Sequence, residues 1–290
     1  EIYYLICHNF GFNLHPIGEN VESDEMKSFI REVLKDMIKR RSILHFEPVT
    51  KEFSDLLKYV SDGLELRTSV SRGKENLYRL TLKKSWKDFL TSLDSKFRKN
   101  LRYYERKIQE KFKMRFEKLT DLDDLKIFFK LHSLSMRDRS DLSILEFKRF
   151  QDYYVKMISS FGKKGGLSNL VLNDKIVASL AYIDFGGTRY FLNIGVDPEY
   201  KTYSAGRVLI AHVIEDAINN SMVYFDFGKG DSQYKLDWGC DVIQNNKVVI
   251  WSSQLTYFLH TSTNFVYNTI KKIAITLFKI NLLKSILLKK

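Results

Sequence analysis

The chain has 290 residues, of which 44% are hydrophobic and 28% are charged, and its formal net charge is +12. This length suits one large domain or two modest ones, and it is long enough to bury a substantial core. Its two cysteines, Cys7 and Cys240, exclude a disulfide framework and fit a reducing cytoplasm.

Membrane-spanning and secretory signals are missing from the sequence. No apolar run approaches the roughly 20 residues that a helix needs to cross a bilayer, and no signal peptide is visible. The first residue is Glu1 rather than methionine, so we expect that the beginning of the protein is missing. We expect a cytoplasmic protein, either soluble or peripheral on the inner face of the plasma membrane.

The first 84 residues have the pattern of an α/β unit. A helix is predicted over 24–39, with Ser23 or Asp24 as its cap and apolar residues at helical spacing. Further predicted elements are a strand over 43–49, a helix over 51–59, and strands over 64–71 and 77–82. The segment therefore reads as part of a folded domain rather than as a linker.

After a short helix around Trp86, a longer basic helix is predicted from Ser95 to about Lys111. One face has apolar residues at helical spacing, and the other carries seven Lys and Arg residues. Such a face is either a solvated surface laced with glutamates or a binding surface for phosphates of CoA, a nucleotide-linked sugar or tRNA. Arg98 and Arg102, one turn apart, are the pair that would contact such a ligand.

A strand over 113–119 precedes two predicted helices, over 121–137 and 143–161. The second helix is expected to begin at Ser143, with Glu146 in the position of a capping box.

His132 lies near the end of the first of these helices, in the motif Leu131-His132-x-x-Ser135-Met136-Arg137-x-Arg139. An imidazole titrates near neutral pH, so His132 could act as a base on the acceptor. A histidine on a helix is more often a hydrogen-bonded structural residue, and that alternative stays open.

Three strands follow, over 166–172, 175–184 and 189–196. The dipeptides Asn173-Asp174 and Gly186-Gly187 join them, and both are strong hairpin signals. The three strands therefore predict an antiparallel meander.

Small residues, Ser204, Ala205 and Gly206, open the helix that follows the meander. The N–H groups at a helix start are unpaired and attract anions, and small residues let a phosphate approach them closely. A glycine at such a place more often serves a turn or close packing. The sequence therefore predicts either an anion-binding site or a structural role for this glycine.

Three separated blocks resemble one family. Lys201-x-x-Ser204-x-Gly206 resembles the acyl-CoA pyrophosphate loop of the GNAT acetyltransferases, which usually has Arg or Gln at its first position and Gly at its second. The segment 224–238, with Tyr234-Lys235-x-x-Trp238 at its end, is similar to BioF-type, CelD-like acetyltransferases of bacterial polysaccharide gene clusters. Upstream, 93–103 resembles the arginine-rich helix start that this subfamily shares with the Fem-type peptidyltransferases. Together the blocks cover roughly 77–251.

The resemblance implies an α/β (α+β) fold with a GNAT-like mixed sheet flanked by helices. It also implies a tandem arrangement with a truncated or degenerate N-terminal half over 1–84, an acyltransferase domain over 85–254 and a basic amphipathic tail over 255–290. From about 258 to 290 the tail interleaves apolar residues with lysines, so it either lies on an anionic membrane or docks on the protein.

The mechanism that the resemblance implies is direct transfer from acetyl-CoA or another acyl-CoA. The thioester would lie between two splayed strands, with backbone N–H groups near Gly195 and Val196 stabilising the oxyanion. An amine or hydroxyl of the acceptor would attack, helped by a base. The expected CoA-binding residues are Gly195, Val196, Lys201, Ser204, Ala205, Gly206 and Arg207, and the expected acceptor-binding residues are Arg98, Arg102 and Trp238.

Four side chains are candidates for catalysis, and most have a structural alternative. Tyr234 would protonate the leaving thiolate or pack as an aromatic, and Lys235 would pair with a phosphate or developing charge or lie on the surface. Asp226 would be the base or bind the turn at Gly228, and His132 is the other candidate base. Trp238 is either a site residue or part of the core.

The leading hypothesis is an acyl-CoA-dependent N- or O-acetyltransferase acting on a sugar, nucleotide-sugar or other small precursor in polysaccharide or cell-envelope synthesis. One alternative is a Fem-type enzyme that uses aminoacyl-tRNA, which the lack of a long helical insertion between Glu105 and Asp121 disfavours. Another is a non-catalytic scaffold of a membrane synthesis complex. No metal, flavin or nicotinamide is expected, since no Cys/His cluster and no Gly-x-Gly-x-x-Gly follow the required spacing.

Overall fold

The structure, a computed structural model, describes residues 23–40, 43–74, 76–119, 125–230 and 233–263. It divides into two compact units, each formed by separate pieces of the chain. The described parts of 47–50 and 72–246 belong to the larger unit, and those of 20–46, 51–71 and 247–290 belong to the smaller one.

The smaller unit is built around helices α1 (Asp24–Lys39) and α2 (Lys51–Asp62) and most of a three-stranded sheet. The strands are β1 (Ile43–Val49), β2 (Arg67–Arg72) and β10 (Asn246–Trp251), in the order β1-β10-β2, and a helical segment over 254–263 follows. The predicted α1 is confirmed, including its cap, because the Ser23 hydroxyl accepts a hydrogen bond from the Met26 N–H.

The larger unit contains a seven-stranded mixed sheet flanked by helices, which confirms the predicted fold class. Its strands lie in the order β4-β5-β6-β7-β8-β3-β9. The helices are α3 (Trp86–Ser92), α4 (Ser95–Gln109), α5 (Leu125–Asp138), α6 (Lys148–Ser160), α7 (Ala205–Asn219) and α8 (Gln233–Asp237). The strands are β3 (Leu77–Thr81), β4 (Met114–Leu119), β5 (Gly165–Leu172), β6 (Lys175–Phe185), β7 (Thr188–Val196), β8 (Tyr224–Lys229) and β9 (Asp241–Ile243).

Two hydrophobic clusters cover the two faces of this sheet. Alternate residues of a strand point to opposite faces, so Leu180 packs with α4 and α7 whereas Ala181 and Ile183 pack with α5 and α6. The site described below lies where elements of both layers converge.

The predicted meander β5-β6-β7 is confirmed, with antiparallel pairing throughout. All four residues of its two turns have positive φ angles, as tight hairpins with right-handed strand twist require: 47° and 65° at Asn173 and Asp174, and 51° and 69° at Gly186 and Gly187. β7 then pairs in parallel with β8, but only over Thr188–Tyr190. Beyond Tyr190 the two strands have no register with each other, and a gap opens between them.

The helix predicted over 143–161 is wrong at its start. Ser143 caps only a short 3₁₀ turn, Ile144–Glu146, and α6 begins after Phe147 without a side-chain cap. The Glu146 carboxylate accepts a hydrogen bond from Arg137 instead of closing a capping box. An ion pair from another helix therefore replaces the local bond that the sequence favoured.

A buried cation ties the start of β7 to α7. Arg189 is 2% exposed, and its guanidinium donates to Asp184, Asp216 and the Val213 carbonyl. A buried charge is tolerated only when it is paired and hydrogen-bonded in this way. The network fixes α7 on the sheet and with it the loop that precedes α7.

Among the described helices, none is both long and apolar enough to cross a bilayer. Most of the tail predicted over 255–290 lies outside the described residues, as do 121–124 of the helix predicted over 121–137. The tandem arrangement and its boundaries stay predictions.

Candidate active site

A pocket of about 360 Å³ lies between the ends of β7 and α5, the start of α7, and α8. Predicted site residues that line it are Val196, Lys201, Ser204, Ala205, Gly206, Arg207, Tyr234 and Trp238. Residues that lie in its wall without having been predicted include Ser135, Asp138, Arg139 and Asp197.

The start of α7 offers unpaired backbone donors to the pocket. Ser204 precedes the helix in the left-handed conformation, with φ 50° and ψ 39°, and its side chain makes no capping bond. Its carbonyl accepts from the N–H groups of Arg207 and Val208. The N–H groups of Ala205 and Gly206 bond to no described group, so they are available to an anion.

Gly206 is required here for close packing as well. A Cβ at this position would lie 2.9 Å from Val196 Cγ2, closer than side chains normally approach. The absence of a side chain lets α7 start directly against the end of β7. Both uses that the sequence allowed for this glycine are therefore compatible with the geometry.

Charged side chains surround the pocket, and two of the cations form no ion pair with another described residue. Lys201 pairs with Asp138 at 2.7 Å, and Asp197 pairs with Lys175 at 2.8 Å. Arg139 and Arg207 make no ion pair within the described part of the chain. Lys201 is 71% exposed, so its ion pair is weak and a phosphate could replace the carboxylate. The pocket therefore favours an anionic ligand.

The edge of β7 closes one wall of the pocket at Val196. The Ser135 hydroxyl, on α5, accepts from the Val196 N–H at 2.6 Å and donates to the Val196 carbonyl at 2.7 Å. The N–H expected to stabilise an oxyanion is thus hydrogen-bonded to Ser135 in this structure.

Gly195 does not line the pocket. A Cβ there would lie 2.3 Å from the His132 backbone nitrogen and 2.6 Å from the Leu131 carbonyl carbon. The residue lets α5 approach β7, which is what brings Ser135 to Val196.

Tyr234 lines the pocket. Its ring packs edge-on against Phe227, and its hydroxyl makes no hydrogen bond to another described group. Burial raises the pKa of the Tyr234 phenol to about 12, and the nearby Arg139 charge opposes the rise. The hydroxyl is therefore protonated at neutral pH and free to donate. Trp238 forms the buried floor, with its ring edge-on to Phe97 at 4.9 Å.

Lys235, a buried residue of α8, and Asp226, within β8, do not line the pocket. The Lys235 ammonium donates to the carbonyls of Lys229 at 2.7 Å and Gly228 at 3.3 Å. The Asp226 carboxylate accepts from Arg79 at 3.2 Å and from the Gly228 N–H at 2.7 Å. Both side chains hold the turn after β8, the structural alternative that the sequence left open for Asp226.

The comparisons with known proteins agree with this geometry. Residues 95–236 match the family model described as the acetyltransferase (GNAT) domain. This segment therefore resembles a GNAT domain over just under half of the chain. No curated protein matches the chain.

Solved structures share the fold of the GNAT domain and extend the likeness beyond it. FemX is 12% identical, with a TM-score of 0.59 over 79% of this chain and 77% of that chain. A conserved protein of unknown function from Bacteroides thetaiotaomicron is 14% identical, with a TM-score of 0.55 over 82% and 78%. L-PGS from Bacillus licheniformis is 13% identical, with a TM-score of 0.52 over 85% and 80%. At these identities the likeness shows the fold alone.

His132 is buried and does not line the pocket. Its Nδ1 atom lies 2.8 Å from the Ser143 hydroxyl, and Asn193 forms a further hydrogen bond with the ring. Burial lowers the pKa of His132 from 6.5 to about 4, and the hydrogen bond that the ring donates to the Asn193 side chain only partly opposes this. The arrangement ties α5 to the 3₁₀ turn and to β7.

We expect His132 to make the folded state sensitive to acid. The unfolded state binds a proton near pH 6.5 and the folded state only near pH 4, so stability is lost as pH falls between these values. Between pH 6.5 and 5 the loss from this residue is about 1.5 kcal/mol. Urea unfolding of the wild type and of His132→Gln at both pH values measures it. Equal pH dependence in the two proteins would contradict the assignment.

Arg98 and Arg102, on α4, do not line the pocket. Arg98 donates to the carbonyls of Leu90 and Thr91 at 3.1 Å, so it caps the end of α3. Arg102 is exposed and lines a separate small cavity of about 120 Å³ with Glu105.

Sequence reasoning missed the contribution of α5 to the pocket, through Ser135, Asp138 and Arg139. The signal is present in the motif that begins at Leu131, because this motif contains Ser135 and Arg139 as well as His132. Ser135 follows His132 by three residues, so it lies almost one helical turn further along α5 and reaches the strand edge. Among the described residues, no cluster of His, Cys, Asp and Glu could hold a metal ion.

Proposed function

We propose that the protein is an acyl-CoA-dependent N- or O-acyltransferase of the CelD-like subfamily. Acetyl-CoA is the proposed donor, and an amine or hydroxyl of a sugar or nucleotide-sugar precursor is the proposed acceptor. The observation that carries the proposal is the pocket itself. It combines the unpaired N–H groups at the start of α7, two arginines that form no ion pair with described residues, and the edge of β7 at the gap between β7 and β8.

The donor's pyrophosphate fits the start of α7. The N–H groups of Ala205 and Gly206 and the Arg207 side chain are donors at the end of a helix whose dipole favours negative charge. Lys201 can exchange Asp138 for a phosphate oxygen, because both partners are partly exposed. These donors and cations support the proposal that a pyrophosphate binds here.

The thioester would then reach the gap beside β7, close to Tyr234. The acceptor attacks the carbonyl carbon, the carbonyl oxygen gains the negative charge, and the C–S bond breaks as the tetrahedral intermediate collapses. Tyr234 donates a hydrogen bond to the departing thiolate, which takes up a proton on leaving. The proton lost by the acceptor goes to solvent or to a base that we do not assign, since His132 and Asp226 lie outside the wall.

One observation favours a second candidate, an aminoacyl-tRNA donor. The exposed side chains of Lys96, Lys99, Arg102 and Arg106 on α4 make no ion pair within the described part of the chain. Toward the end of α4, Lys107 donates to the Thr202 carbonyl, in the loop of the pocket. A cationic surface that continues to the donor site suits a polyanion longer than CoA.

Binding of acetyl-CoA, measured by calorimetry, tests the first candidate. We expect micromolar binding by the wild type and at least about 10-fold weaker binding by Arg207→Glu, which replaces a charge-assisted donor with a carboxylate. Lys96→Glu is the matched control: it reverses a charge on α4 and leaves the pocket unchanged, so its affinity should equal that of the wild type.

The same two variants separate the candidates. Failure of the folded wild type to bind acetyl-CoA, together with charged-tRNA binding that Lys96→Glu weakens, would favour the aminoacyl-tRNA donor. Failure of the wild type to bind either ligand would leave a scaffold without turnover. Thermal unfolding of each variant shows whether a loss of binding reflects a loss of structure.

A further inference from the structure

The β7 edge beyond Tyr190 faces the gap rather than a neighbouring strand. On its other side β7 stays paired with β6, where the Asp197 N–H that follows the strand donates to the Val177 carbonyl at 2.8 Å. Successive residues of a strand direct their backbone groups to opposite sides. The N–H and carbonyl of Val196 therefore point away from β6, toward the gap and the pocket.

A single side chain satisfies both of these backbone groups. The Ser135 hydroxyl accepts from the Val196 N–H and donates to the Val196 carbonyl, at 2.6 and 2.7 Å. Ser135 is 6% exposed, and both residues line the pocket. Without this hydroxyl, the pocket would contain an open strand edge with one donor and one acceptor.

The hydrogen bonds between Ser135 and Val196 depend on how closely α5 packs against β7. α5 lies directly against β7 at Gly195, where no side chain could be accommodated. That contact places Ser135 beside the next residue along β7. The hydroxyl is therefore held at the strand edge by backbone packing, and rotation about its own χ1 angle is enough to release it.

We propose that Ser135 is a displaceable cap on the donor site. It positions the free strand edge, and a secondary amide of the donor's pantetheine arm replaces its hydroxyl on Val196. The inference rests on the proposed function and specifies how the same pocket selects its donor. An amide carries one N–H and one carbonyl, which is the combination that an open strand edge binds.

The cap lowers the net affinity for every donor that must displace it. When an amide binds, it replaces the two hydrogen bonds between Ser135 and Val196 with two of its own. The exchange therefore contributes little to the free energy of binding. A ligand that binds only the start of α7 leaves Ser135 in place and is unaffected. Ser135 is in this sense a positioning and specificity residue and takes no part in bond making.

Ser135→Ala tests the proposal, with Ser133→Ala as the matched control on the same helix. Ser133 lines a different groove and does not reach Val196. We expect acetyl-CoA to bind Ser135→Ala about three- to tenfold more tightly than the wild type, because one or two neutral hydrogen bonds no longer compete. ADP has the pyrophosphate without the pantetheine arm, so its affinity should be the same for all three proteins.

Hydrogen exchange at the Val196 amide gives a second readout. The amide should be protected in the wild type without ligand, exchange faster in Ser135→Ala, and regain protection when acetyl-CoA is added to that variant. Unchanged or weaker acetyl-CoA binding by a folded Ser135→Ala would overturn the cap while leaving the proposed function standing. No acetyl-CoA binding by either protein would overturn the proposed function and this inference together.

Discussion

Replacing Tyr234 with phenylalanine is expected to lower kcat by about 100-fold while leaving the affinity for acetyl-CoA within about twofold of the wild type. Tyr234 lines the pocket and its hydroxyl has no hydrogen-bond partner among the described residues, so its removal takes away a donor without disturbing an existing network. Phenylalanine keeps the edge-on contact with Phe227. The change should therefore appear in the chemical step rather than in folding or binding.

The pKa of Tyr234 decides how this residue can act. With the pKa raised to about 12, complete proton transfer to a thiolate, whose conjugate acid has a pKa of about 8.5, is uphill. Tyr234 is therefore better suited to stabilise the departing sulfur by a hydrogen bond than to protonate it fully. We expect no break in the pH dependence of kcat from Tyr234 below about pH 10, since the phenol stays protonated there.

Steady-state kinetics with acetyl-CoA, and calorimetry with the same ligand, check this expectation. Tyr103→Phe is the matched control, because Tyr103 is 48% exposed on α4 and does not line the pocket. A Tyr234→Phe enzyme with the kcat of the wild type would show that another group supports the leaving sulfur. Acetyl-CoA binding that falls in parallel with kcat would indicate a packing role instead.

Local features of the fold could be predicted from the sequence. α1 begins and ends at the predicted residues because Ser23 caps it and its apolar spacing is regular. The two hairpins follow from dipeptides that tolerate positive φ angles, which few other residues do. In each case the deciding interaction lies within a few residues along the chain.

Features that depend on distant partners could not be predicted. Glu146 was expected to close a capping box, but Arg137 from another helix binds its carboxylate. The sequence predicted a strand over 77–82 without indicating its partners, and in the structure β3 pairs with β8 and β9. Nothing in the local pattern of either segment records which partner lies close in space.

Some residues of the candidate site could be predicted from local sequence, and others depend on distant packing. The loop before α7 is local in sequence, and all of its predicted residues from Lys201 to Arg207 line the pocket. The contributions of α5 depend on how that helix packs across β7. Consequently His132 was singled out by its chemistry, although Ser135 is the residue that reaches the strand edge.

Replacing Gly195 with alanine is expected to destabilise the protein by about 3 kcal/mol or more. The added Cβ would meet backbone atoms of Leu131 and His132 at 2.6 and 2.3 Å, and backbone atoms within a packed helix cannot move aside at low cost. α5 would have to lift from β7. The Ser135 hydroxyl would then lose its place at Val196, so the strand edge should also lose protection against hydrogen exchange.

Urea unfolding measures the loss, and Gly63→Ala is the matched control. At Gly63 the nearest atoms to an added Cβ lie at 3.6 and 3.7 Å, an ordinary contact, so stability there should change by less than about 0.5 kcal/mol. If Gly195→Ala unfolded like the wild type, α5 could not approach β7 as closely as described. Faster hydrogen exchange at the Val196 amide in a folded Gly195→Ala would instead show that the absence of a Cβ at Gly195 sets the distance between α5 and β7. The donor site depends on that distance.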